Sequence, residues 1–81
     1  MSENPDVAKV YGKPDCYGCK LTVKVLEKEG IPYKYLDITT NEVAYQEVKN
    51  LGYNAAPVVD AGGGQHWTGF SPDRIRGLKR D

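Results

Sequence analysis

From Val7 to Tyr11 the run VAKVY alternates apolar and polar side chains with a period of two, and Gly12, Lys13, Pro14 and Asp15 follow it with turn residues. A strand and then a loop are expected there. After Cys16 or Tyr17 the period lengthens. Leu21, Thr22, Val25 and Leu26 recur at helical spacing, Lys20, Lys24, Glu27 and Lys28 lie largely between them, and Gly30 offers a left-handed stop, which together predict a helix of about three turns. Ile31 and Pro32 open a second strand, YKYLDI, with Tyr33, Tyr35 and Asp37 on one face and Lys34, Leu36 and Ile38 on the other. Thr39 and Glu42 have the spacing of a capping box, and Ala44, Val48 and Leu51 follow at helical intervals up to Gly52, so a second helix is expected.

Ala56, Pro57, Val58 and Val59 form a short buried strand in this pattern, Asp60 to Gly64 a hairpin loop, and Gln65 to Thr68 the returning strand. Ser71, Pro72 and Asp73 supply an N-cap, a first-turn proline and an early acid ahead of Ile75 and Leu78, a short last helix weakened by Gly77. Residues 1–6 read as a flexible tail and residues 7–81 as one domain. The element order is βαβαββα. Strands joined through a helix should be parallel with a right-handed crossover, and the hairpin adds an antiparallel pair, so the class is α/β with a four-stranded mixed sheet flanked by three helices.

Composition narrows the partners. The chain has 81 residues, with 11 Lys and Arg against 11 Asp and Glu, so no global field draws it to nucleic acid or an acidic membrane. The start, MSENPDVAKV, lacks a basic segment followed by an apolar one, and no apolar run is long enough to span a bilayer. The expectation is a soluble, cytoplasmic monomer. Two cysteines do not make a secreted disulfide scaffold, and a bridge between neighbours constrains little of the fold. Their use should be chemical.

Cys16 and Cys19, within KPDCYGCKLT, stand where strand pattern yields to helix pattern. At a helix mouth, free backbone N–H groups and the positive end of the helix dipole favour an anion, and a thiolate is that anion. Cys19, three residues later on the same face, brings a second sulfur within reach of one disulfide and leaves Cys16 the more exposed of the two. Lys13 and Lys20 favour the thiolate and Asp15 opposes it. A second use of a CxxC pair is half of a zinc or iron–sulfur site bridging two chains, with His66 the one further strong ligand; no metal is assigned within one chain. A third is a pair of inert structural thiols, which the loop-like neighbours Pro14, Asp15, Tyr17 and Gly18 disfavour. His66 reads as an exposed strand residue, and Trp67 and Phe70 suit either the core or a contact surface.

YGKPDCYGCKLT, GIPYKYLDI, LGYNAAPVV and HWTGFSPDRI together resemble the NrdH redoxins, glutaredoxin-like proteins that behave as thioredoxins. The likeness covers nearly the whole chain after the tail. It implies a thioredoxin fold and a dithiol–disulfide oxidoreductase needing no bound cofactor. Thioredoxin reductase would supply electrons, and the large subunit of a class Ib ribonucleotide reductase would accept them. By the same resemblance Cys16 is the attacking cysteine, Cys19 the resolving one and Pro57 a cis-proline beside them. Lys13, Tyr17 and Gly18 are then candidates for tuning the redox pair, and Ala56, Pro57, Trp67, Thr68, Gly69 and Phe70 for binding the partner. Tyr17-Gly18 departs from the family's more usual Val-Gln, and Ser71 stands where arginine is frequent. The rival within the same chemistry is a glutathione-dependent glutaredoxin. The APVV and WTGF segments differ from the usual glutathione-binding pattern, although Lys13 occupies a position that is basic in both groups.

Overall fold

The computed structural model describes residues 7–78; the expected tail, residues 1–6, and the last three residues lie outside them. The elements are β1 (Ala8–Gly12), α1 (Tyr17–Lys28), β2 (Tyr33–Asp37), α2 (Glu42–Asn50), β3 (Val58–Gly62), β4 (Gln65–Thr68) and α3 (Pro72–Arg76). The expected βαβαββα order is therefore present, in a sheet ordered β2-β1-β3-β4. β1 and β2 run parallel, while β1–β3 and β3–β4 are antiparallel.

β1 is central and covered on both faces, so its alternation conceals two buried sides rather than one. Ala8 and Val10 join Leu26, Ile31, Val59, Trp67 and Ile75 in the layer beneath α1 and α3. Tyr11 points the other way, into the layer with Ala44, Val48 and Val58 beneath α2. Its phenol, inside a buried layer, needs a partner, and it donates to Glu47 Oε1 at 2.7 Å. Leu26 is fully buried between helix and sheet; its truncation to alanine should cost about 2–5 kcal/mol.

Three boundaries and one cap bond differ from the sequence pattern. The capping box does not form: Thr39 turns its N–H and hydroxyl back to Asp37 Oδ1, at 2.8 and 2.6 Å, and Asn41 caps α2 by accepting the Ala44 N–H at 3.0 Å. β3 begins at Val58 rather than Ala56, because Pro57 has no N–H for a ladder bond. The hairpin loop shrinks to two residues. β3 runs through a bulge between Asp60 and Gly62, where Asp60 Oδ1 accepts the Gly62 N–H, and the chain reverses at Gly63 and Gly64 with φ of 60° and 84°. Positive φ at both central residues is what a tight turn of this hand requires, and glycine adopts it without a Cβ clash. At α3, the Ser71 side chain makes no capping bond, and Ser71 contributes only its carbonyl, to the Ile75 N–H.

Candidate functional site

The site grows from the carboxyl end of β1. Gly12 closes the strand, the exposed loop Lys13–Asp15 turns the chain, and Asp15 makes the turn with a left-handed φ of 58°, a conformation aspartate tolerates better than most residues. Cys16 follows as the N-cap of α1. Its Sγ takes the place that a serine or aspartate oxygen usually fills and accepts the Cys19 N–H at 3.1 Å. A sulfur anion at this position would meet the same amide and the positive end of a twelve-residue helix.

Cys16 and Cys19 are joined as a disulfide, with Cα atoms 5.2 Å apart. Cys16 is 8% exposed and Cys19 1%, so Cys16 is the more accessible of the two. Inside α1, the Thr22 hydroxyl is fully buried and donates to the Gly18 carbonyl at 2.8 Å, which satisfies a polar group beneath the cysteines.

Across from the helix mouth lies the segment before β3. The Ala56–Pro57 peptide is cis, as the resemblance implies. Gly18 packs directly against it: a Cβ at Gly18 would stand 3.2 Å from Pro57 Cδ and 3.9 Å from Phe70 Cβ. The structure thus gathers Gly18 of the redox motif, Pro57 and Phe70 into one patch. Tyr17, 75% exposed, and Phe70, 39% exposed, are the large apolar side chains open to a partner there. Lys13 is exposed on the loop that leads into Cys16.

Trp67 is a correction to its candidacy as a contact residue. Its indole is 6% exposed, lies in the layer beneath α1 and α3, and is covered by the Arg74 guanidinium 5.2 Å from the ring. Thr68 is exposed, and its hydroxyl donates to the Ala55 and Pro57 carbonyls at 3.0 and 3.2 Å, while the Gly69 N–H donates to Pro57 O at 2.8 Å. His66 is half-buried rather than exposed, with Nδ1 2.8 Å from the Tyr53 hydroxyl. Among the described residues no three His, Cys, Asp or Glu side chains come together as metal ligands, and no helix is long and apolar enough to cross a membrane.

Two tyrosines near the cysteines were not singled out from the sequence. Tyr33 and Tyr35 line a cleft of about 350 Å³ with Cys19, Lys20 and Val23. The signal was present in part, since their alternation places both on one face of β2 and the right-handed crossover carries α1 over that face. The Tyr33 phenol donates to Glu27 Oε2 at 2.7 Å, and this bond is the main reason its pKa is raised; burial and the Glu27 charge add to it. Burial, and then the Asp37 charge, raise the pKa of Tyr35. Asp37 is held below its usual carboxylate value by the Thr39 hydroxyl and then the Thr39 amide.

Comparison with known proteins agrees with this geometry. A model of the glutaredoxin family matches residues 8–67. Among solved structures, the chain is similar to the glutaredoxin-like NrdH-redoxin from Escherichia coli, described as having a thioredoxin-like activity profile. Identity is 27%, the TM-score is 0.85, and 93% of this chain and 97% of that one are covered. A glutaredoxin from Archaeoglobus fulgidus is 25% identical, with a TM-score of 0.73 over 91% of this chain and 86% of that one. A thioredoxin-like protein at 22% identity and a TM-score of 0.79, covering 88% of this chain and 97% of that one, supports the thioredoxin fold alone. No curated protein sequence matches the chain.

Proposed function

The chain belongs to the glutaredoxin family, and from that premise we propose that it is a dithiol carrier of the NrdH type, passing two electrons from a thioredoxin-reductase-like flavoenzyme to the disulfide of a class Ib ribonucleotide reductase. One observation carries the chemistry: Cys16 caps α1 with its sulfur on the Cys19 amide and is bonded to the more deeply buried Cys19.

In the reduced protein, the Cys16 thiolate attacks one sulfur of the target disulfide. A mixed disulfide forms and the target's other sulfur leaves as a thiolate, which takes up a proton. Cys19, after losing its proton, attacks the Cys16 sulfur. This closes the Cys16–Cys19 bond and expels the target's second thiolate. Two electrons have moved and no bound group takes part. The reductase runs the sequence backwards, its thiolate entering at Cys16 and Cys19 leaving first.

The choice of partners rests on the surface. Tyr17, Pro57 and Phe70, next to Gly18 of the redox motif, are uncharged, which suits a protein face better than an anionic tripeptide thiol. The electron acceptor is tested by deoxyribonucleotide formation. A class Ib ribonucleotide reductase supplied with NADPH, thioredoxin reductase and this protein should turn over repeatedly, and should stop when both cysteines are serine. Absence of product above the control without this protein, under conditions where insulin is reduced, would remove ribonucleotide reductase as the acceptor.

A further inference from the structure

Thr68 ends β4, and its ladder partner Val58 is the last paired residue at that end of β3. Beyond this rung the backbone cannot continue the ladder, because Pro57 has no N–H to give. The Thr68 side chain takes over. Oγ1 lies 3.0 Å from the Ala55 carbonyl oxygen and 3.2 Å from the Pro57 carbonyl oxygen, so its single hydrogen serves both. The Gly69 N–H, at 2.8 Å, gives the Pro57 oxygen a second donor. The carbonyls on either side of Ala56 are therefore both tied to β4. No described hydrogen bond engages the N–H or the carbonyl of Ala56 itself. The Pro57 ring in turn rests on Gly18, between the two cysteines.

We propose that Thr68 is a positioning residue. Its hydroxyl holds the segment from Ala55 to Pro57 against Gly18 of the redox motif, so that the free Ala56 backbone pairs with an extended stretch of polypeptide carrying the target disulfide. This role rests on the reading of the protein as a reductase of protein disulfides, and it refines the substrate class. An extended chain gains by pairing with Ala56. A compact disulfide or a small alkylating reagent, which forms no strand pair, gains nothing from Thr68. The hydroxyl thus serves recognition of the polypeptide and leaves the reactivity of Cys16 alone.

Two variants separate these effects. Thr68→Val keeps the β-branched shape and removes the hydroxyl; Thr68→Ser keeps the hydroxyl and removes the methyl. With dithiothreitol as electron source, the rate of insulin reduction is followed against insulin concentration, and alkylation of reduced Cys16 by iodoacetamide is followed in parallel. Thr68→Val should raise the KM for insulin roughly five- to ten-fold, the loss of a hydrogen bond or two, with kcat kept within about two-fold. Thr68→Ser should restore the parent KM, and all three proteins should be alkylated at the same rate. An unchanged KM in Thr68→Val would overturn the role. So would equal losses in the two variants, or slowing of alkylation in step with insulin reduction. A parent protein that leaves insulin untouched would overturn the disulfide-reductase reading and this role with it. An active parent with an unaffected Thr68→Val variant would overturn the role alone.

Discussion

Two sulfurs, three residues apart on the first turn of α1, divide the chemistry by exposure. Cys16, at the cap, is the more open, and Cys19 is sealed behind it. Replacing Cys16 with serine should therefore abolish reduction of insulin. Cys19→Ser should still attack but stop as a mixed disulfide with its target, seen as an intact-mass adduct that dithiothreitol releases. Turnover by Cys19→Ser at the parent rate without added thiol would reverse the assignment. Tyr33 and Tyr35 should both titrate above the ordinary tyrosine value of 10.0, and Glu27→Gln should lower Tyr33 and leave Tyr35 where it is. The folded state favours the neutral phenol. Its contribution to stability is therefore complete below the unfolded value and is lost as pH rises through the folded one. Ultraviolet titration of the phenolates checks both. The cysteines were legible because their chemistry follows from local spacing. The Thr68 and His66 contacts were not, because each joins residues more than ten positions apart.

At the scale of elements, period and residue type found all seven, and the ends moved where side chains competed for the same backbone groups. α2 shows this best. Thr39 and Glu42 had the spacing of a capping box, yet Asp37 draws both Thr39 donors back toward β2 and leaves the cap to Asn41. Nothing in the spacing distinguishes the two arrangements, since each supplies an acceptor to two backbone N–H groups. Asn41→Ala should thus lower stability by about 1 kcal/mol, measured as a shift in the urea midpoint. Thr39→Ala should leave the cap of α2 intact, so the Ala44 amide should keep its protection from hydrogen exchange in that variant and lose it in Asn41→Ala. Loss of Ala44 protection in Thr39→Ala instead would return the cap to Thr39.

For the whole molecule, two rules applied to the sequence, the right-handed crossover from β1 through α1 to β2 and the short hairpin from β3 to β4, account for two of the three strand pairs. The antiparallel β1–β3 pair that completes the order β2-β1-β3-β4 joins strands far apart in the chain and was not legible. What those rules did not show is that β1 is buried on both faces. Tyr11 consequently belongs to the layer beneath α2, and Trp67 to the opposite layer rather than the contact surface. The helix mouth, the segment before β3 and Phe70 meet on one rim. On the proposed function, this rim takes electrons from a protein reductase rather than from glutathione. NADPH consumption with insulin as acceptor separates the two, comparing thioredoxin reductases from several sources with glutathione and glutathione reductase. At least one thioredoxin reductase should sustain steady NADPH oxidation that depends on this protein, and the glutathione system should add little over its background. Robust glutathione-driven turnover, with none from any thioredoxin reductase, would contradict the claim and make the chain a glutathione-dependent glutaredoxin.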